Sequence, residues 1–191
     1  GVVAPVYAGE MPGMVKAFLK KATIKTAYFF FIYTYGMGYG EAFAHVKQTC
    51  DEKNLKLAYI NAVQMVDNYL PGFEMQKQMD TLPQKDVEGQ IARILCDIET
   101  RKETPIKLSV SVKAQMALLQ KMPARRILRQ DTAQSYLVND RCIHCGICAK
   151  VCPANNITVT KNGVCFSDHC EVCYACLHTC PQTAIHMKEE K

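Results

Sequence analysis

The sequence predicts two folds in succession: an α/β domain on a parallel sheet over residues 1–100, and a small α+β domain over residues 133–191. A basic, partly helical linker at 101–132 joins them. Three observations lead there. Strand-like and helix-like segments alternate through residues 1–100, the pattern of a doubly wound parallel sheet. One strand candidate, Ala27 to Tyr33, is apolar and aromatic without alternation, as in strands covered on both faces. Eight of the eleven cysteines then fall into two runs within residues 142–181.

Residues 1–7 (Gly-Val-Val-Ala-Pro-Val-Tyr) read as a short buried strand entering a loop at 8–13. A helix follows, with Val15, Phe18 and Leu19 at i, i+3 and i+4. Lys20 and Lys21 occupy its last turn, where the helix dipole favours cations. The second strand spans 26–34, and residues 35–40 (Tyr-Gly-Met-Gly-Tyr-Gly) form a glycine-rich turn. Residues 41–53 make a helix with Phe43, Val46 and Cys50 on one stripe, and 55–63 give the third strand. The strongest helical period lies at 84–100, where Val87, Ile91, Ile94, Leu95 and Ile98 form an apolar stripe. Three strands are few for such a sheet and residue 1 is not Met, so the expectation is an N-terminally truncated domain lacking its first one or two βα units.

The linker is where charge collects. Pro105 ends the helical pattern, and Pro123 interrupts a helix-capable stretch holding Ala114, Met116, Leu118 and Leu119. The net charge of +5 divides as −1 over residues 1–100, +7 over 101–130 and −1 over 131–191. A segment of one sign is either a solvated helix face or an approach surface for an acidic redox partner protein. It comes with no aromatic platform or nucleic-acid motif, so the reading is no nucleic acid. The longest apolar run is far shorter than the ~20 residues of a membrane helix, so no membrane span is expected.

The two runs are Cys142-Ile-His-Cys145-Gly-Ile-Cys148-Ala-Lys-Val-Cys152-Pro153 and Cys170-Glu-Val-Cys173-Tyr-Ala-Cys176-Leu-His-Thr-Cys180-Pro181. Each fits C-x2-C-x2-C-x3-C-P, the bacterial pattern for iron–sulfur ligation, and the second repeats the first at an offset of 28. Three thiolates at three-residue intervals let one loop wrap three iron corners of a cubane. The fourth opens a segment that a proline turns away. In two-cluster ferredoxins that fourth cysteine ligates the other cluster. The expected sets are therefore Cys142, Cys145, Cys148 and Cys180 for one 4Fe–4S cluster, and Cys170, Cys173, Cys176 and Cys152 for the second. Zinc knuckles pair cysteines across a longer loop, and a disulfide framework needs a secreted context that no signal peptide supplies.

Around these runs, Tyr136 to Val138 reads as a short strand, 156–166 as a hairpin turning at Asn162-Gly163, and 183–187 as a last strand. Gly146, Ala149 and Ala175 leave room for backbone amides to approach sulfur. Ile143, Ile147, Val172, Ile157 and Ile185 are expected to wall off water, and Tyr174 packs either on a cluster or in the core. With all cysteine positions filled, His144, His169 and His178 are not expected as ligands. Cys50, Cys96 and Cys165 remain, and their apolar contexts predict buried structural thiols. Free thiols and cluster ligands suit a reducing compartment, here the cytoplasm. The turn at Gly36, Gly38 and Gly40 has Glu41 where a dinucleotide fingerprint needs its third glycine, which excludes that motif.

Together, Ala4-Pro-Val-Tyr7-Ala-Gly, Thr34-Tyr-Gly36, Val66-Asp-Asn-Tyr69 and the double cysteine run resemble the prokaryotic flavodoxin–ferredoxin fusion proteins found mainly in anaerobes. The resemblance implies a flavodoxin-like α/β domain followed by a bacterial-type ferredoxin domain. It also implies FMN at the carboxyl edge of the sheet. Tyr7, Ala8, Gly9 and Glu10 match the first loop beside the flavin ring, and Thr34, Tyr35, Gly36, Met37 and Gly38 match the second. Tyr7 and Tyr35 either stack on that ring or, with the glycines, simply shape the turns. The Thr/Ser/Gly-rich phosphate loop of the family is not in this sequence, and without it FMN lacks its main anion site. The implied role is an electron carrier or oxidoreductase component rather than a stand-alone enzyme. In the complete protein a flavin would exchange electrons with the two clusters. The alternative is an electron-wire subunit of a larger oxidoreductase, its flavodoxin-like domain serving only for docking.

Overall fold

The structure is a computed structural model that describes residues 1–7, 9–70, 72–104 and 136–187. Its chain divides into two compact units, Gly1–Met116 and Ala117–Lys191. Apart from residues 101–104, the linker expected at 101–132 lies outside the described residues, as does Ala8.

In the first unit, β1 (Val2–Pro5), β2 (Phe29–Tyr35) and β3 (Leu57–Gln64) form one sheet in that order, all parallel. Its helices are α1 (Gly13–Lys21), α2 (Ala42–Glu52), α3 (Met75–Thr81) and α4 (Val87–Glu99), with a 3-10 turn at Leu82–Lys85. Successive side chains of the central strand go to opposite faces. Phe29, Phe31 and Tyr33 pack with Leu19 of α1 and with Val46 and Cys50 of α2. Ile32 packs with Tyr59, Val63 and Ile94 of α4 on the other side. That two-sided cover is why β2 shows no polar alternation, and each buried large side chain contributes about 1.5–3 kcal/mol. The sheet is thus an α/β arrangement with helices on both faces.

Several expectations change at the edges. Among the described residues β1 borders only β2, so it lies at the sheet edge with Val3 66% exposed, rather than as the buried strand the sequence predicts. Phe18 of α1 and Leu95 of α4 are exposed, because each helix meets the sheet along a narrow line, through Leu19 and Ile94. Cys96 and Cys165 are also exposed, and of the three spare cysteines only Cys50 is buried. α3 and its 3-10 extension bury nothing, so no apolar period announced them. The start of α4 is fixed by Asp86, which adopts a positive φ of 46° and accepts the Gly89 N–H on its carboxylate at 3.2 Å.

The second unit is two copies of one motif. β4 (Tyr136–Val138), α5 (Ile147–Val151) and β5 (Ile157–Thr160) make the first half. β6 (Gly163–Phe166), α6 (Ala175–His178) and β7 (Ile185–Met187) make the second, each starting close to 28 residues after its counterpart. The halves exchange strands: β4 pairs antiparallel with β7, and β5 with β6. Equivalent links tie the ends, Asn139 N–H donating to Ala184 O at 3.0 Å and Ser167 N–H to Asn156 O at 2.9 Å. The hairpin turns on Lys161 and Asn162, with Gly163 already paired to Thr160 at φ 142°. The turn therefore sits one residue before the expected Asn-Gly.

Candidate iron–sulfur site

Wrapping three cysteines spaced by three residues around one volume requires the chain to reverse its curvature within each run. It does so through positive φ at His144 (54°) and Gly146 (77°), and at Val172 (58°) and Tyr174 (57°). The residues before the closing N–H donors repeat the device, Asn155 at 51° and Thr183 at 44°. Every one of these lies 28 residues from its counterpart. A β-branched valine in the left-handed region costs about 1–3 kcal/mol, and such strain persists where the surroundings over-determine it. At Val172 the Cys170–Cys176 loop imposes it.

Cys152 ends α5 and lines one cavity together with Cys170, Cys173 and Cys176 of the second run, beside Tyr136 and Phe166. Backbone donors aim at sulfur: Asn156 N–H to Cys152 Sγ at 3.2 Å, Val172 N–H to Cys170 Sγ at 3.4 Å and Ala184 N–H to Cys180 Sγ at 3.3 Å. Burial pushes the Cys176 thiol up to about 12, with the charges of Cys170, Cys173 and Cys152 adding to it. Burial likewise raises Cys170. Such a pocket disfavours bare thiolates, and the charge of a bound cation would compensate them.

In the first run, burial raises the Cys148 thiol, and Cys145 and Cys142 are near enough to raise it further. Cys180 is brought to the start of that run by its own loop: Arg141 donates to Thr183 O at 3.1 Å, next to Cys142. Burial alone would raise Cys180, but N–H groups of Ala184, Gln182 and Ile185 and the Arg141 charge hold it below its ordinary value.

Among the described residues, no three His, Cys, Asp or Glu side chains converge as a single ion would need. Four thiolates on one zinc stand about 3.8 Å apart, whereas a cubane gives each cysteine its own iron corner and spreads the sulfurs around a volume. The donor set, the N–H groups directed at sulfur and the enclosed shape fit a cluster. Tyr174 is buried and lines the cavity. Ile157 and Ile185 are buried as well, but Ile143 and Ile147 are exposed and wall off nothing.

The sequence reading missed Tyr136, Asn156 and Arg141. Their signal was the 28-residue offset itself, which aligns Tyr136 with Val164 and Asn156 with Ala184. Positions where the halves differ are those the repeat alone does not explain.

The described flavin-edge candidates of the first unit share one edge of the sheet. Tyr7 and Glu10 exchange two backbone hydrogen bonds at 3.0 Å around Gly9 (φ 74°). Thr34 and Tyr35 end β2, and Gly36, Met37 and Gly38 follow. The first loop touches the second at Gly9 and Gly40, backbone against backbone. Asp67 of the loop after β3 accepts the Met37 N–H at 2.9 Å. Tyr35 packs edge-on to Tyr39 at 5.2 Å, and Met37 is 76% exposed.

Residues 136–158 match the Fer4 family, a 4Fe-4S binding domain, across the whole first cysteine run. Fold and match together define a ferredoxin-type domain, and they support a 4Fe–4S cluster with electron transfer as its role. No curated protein and no solved structure matches the chain. Among the described residues, no helix is long and apolar enough to cross a membrane.

Proposed function

We propose that this chain transfers single electrons through two 4Fe–4S clusters, one held by Cys142, Cys145, Cys148 and Cys180 and the other by Cys170, Cys173, Cys176 and Cys152. The observation that carries this reading is the cavity lined by Cys152 of one run and Cys170, Cys173 and Cys176 of the other. A bound cluster supplies a reversible one-electron store. The chain's part is to fix the thiolates, to direct the Asn156, Val172 and Ala184 N–H groups at sulfur, and to keep water out with Ile157, Phe166 and Ile185. Anaerobic iron and sulfide analysis is expected to give about eight of each per chain, as two cubanes require. A value near four would remove the second cluster.

A second reading concerns the first unit. The loops at 7–10, 34–38 and 67–69 meet at the carboxyl edge of a parallel sheet, where α/β folds bind ligands, and this favours a flavin there that exchanges electrons with the clusters. FMN titrated into the protein would lose fluorescence on binding. Unchanged fluorescence would favour the rival reading, a cofactor-free docking domain on an electron-wire subunit. The basic residues at 101–130 are proposed to receive an acidic redox partner, in which case the rate of reduction falls steeply with added salt.

A further inference from the structure

Tyr136 is 6% exposed, and its hydroxyl is buried without a hydrogen-bond partner. Leaving a hydroxyl so is destabilising, yet the fold holds it in place. β4 pairs Tyr136 with Met187, and the ring sits edge-on to Phe166 at 5.5 Å and to Tyr174 at 6.5 Å. The side chain lines the cavity of Cys152, Cys170, Cys173 and Cys176, and Cys170 is the sulfur its hydroxyl faces. A phenol is protonated at neutral pH, so the hydroxyl is available as a donor there.

Resting on the two-cluster reading, we propose that Tyr136 donates an O–H···S hydrogen bond to Cys170 Sγ when that sulfur is a cluster ligand, and that this raises the reduction potential of the second site. Reduction adds negative charge that spreads onto the ligand sulfurs, and a donor aimed at sulfur stabilises that form most. Two backbone donors, Asn156 to Cys152 and Ala184 to Cys180, are counterparts in the repeat and serve one site each, while Val172 N–H to Cys170 Sγ adds a further one at the second site. The hydroxyl has no counterpart, since the position 28 residues on is Val164. The donor also crosses between halves: Tyr136 belongs to the first and Cys170 to the second. The hydroxyl is thus a side-chain donor that sets the second site apart from the first, in a domain otherwise built by duplication.

The test is Tyr136→Phe in the full chain, purified anaerobically. This removes one oxygen and keeps the ring contacts, so a purely packing role would leave the potentials unmoved. Iron and sulfide per chain are measured first and are expected to equal wild type. EPR-monitored redox titration then reads both potentials, with Cys170→Ser marking which signal belongs to the second site. The expected result is a tenfold shift of that site toward its oxidised form, about 59 mV for one electron, with the other site unchanged. Unshifted potentials in the loaded variant, or a shift confined to the Cys142 site, would overturn the proposal. A wild-type chain with about four irons sinks the two-cluster reading instead. In that case a lone cluster on the Cys142 run overturns the Tyr136 proposal too, and a lone cluster on Cys170 leaves its response to Tyr136→Phe to decide.

Discussion

Cys152 closes the first cysteine run, yet it lines the same cavity as Cys170, the first cysteine of the second run. The strand exchange explains how. β5 follows Cys152 and pairs with β6, which leads to Cys170, so the end of one run is carried to the start of the other. Under the two-cluster reading, replacing Cys152 by Ser is therefore expected to alter the EPR signal and stability of the cluster on Cys170, Cys173 and Cys176, sparing the one on Cys142, Cys145 and Cys148. Loss at the Cys142 site would show that ligation is not crossed.

Asn156 holds the same crossing together. It is 1% exposed, and its side-chain oxygen accepts the His169 N–H at 2.9 Å, immediately before Cys170. Truncation to Ala strands that N–H, at a cost of about 1–3 kcal/mol. Asn156→Ala is expected to lower the denaturant midpoint by that amount and to shorten the lifetime of visible cluster absorption in air. A midpoint equal to wild type would mean that water replaces the side chain without loss.

In the first unit, Gly36 marks where the loops after β2 and β3 close on each other. A Cβ there would fall within van der Waals contact of Asp67, its backbone Cα included. Backbone yields less readily than a side-chain tip, so Gly36→Ala must move the Asp67 loop and break the Met37 N–H bond to its carboxylate. The expected cost is about 1–3 kcal/mol, read as a lowered thermal midpoint. Under the flavin reading, FMN affinity falls with it.

What the sequence made legible follows from how local each signal was. The cysteine spacing and its offset are covalent facts, and they led directly to the loops and the duplicated α+β unit. The run from Ala27 to Tyr33 declared a doubly covered strand because burial on both faces leaves no polar positions. Leu95 and Cys96 misled, since an apolar period says which residues share a helix face but not how much of that face a three-stranded sheet can cover. Tyr136 was invisible as a site residue for another reason. Its role arises from the exchange of β4 and β7, a pairing across nearly fifty residues that no local pattern encodes.

Cys50 gives the first unit a pH dependence of its own. Burial, with the Asp51 carboxylate adding and Lys47 opposing, pushes its thiol from an ordinary 9.0 up to about 11. Above pH 9 the unfolded chain releases this proton while the folded chain keeps it, so ionisation favours unfolding. The associated stability is complete below about pH 9 and is lost as pH rises toward 11. Two pKa units correspond to about 2–3 kcal/mol. Cys50→Ala removes the titrating group and adds a small, pH-independent cavity cost. Denaturant unfolding followed by far-ultraviolet circular dichroism at pH 8, 9, 10 and 11, under anaerobic conditions, compares the two chains. Tyr59, which burial pushes up to about 12, is common to both and cancels in the difference. Relative to Cys50→Ala, wild type is expected to lose about 2 kcal/mol between pH 8 and pH 11, so that its initial advantage, set by the small cavity, shrinks and then reverses. Parallel profiles would place the Cys50 thiol in contact with solvent in the folded protein.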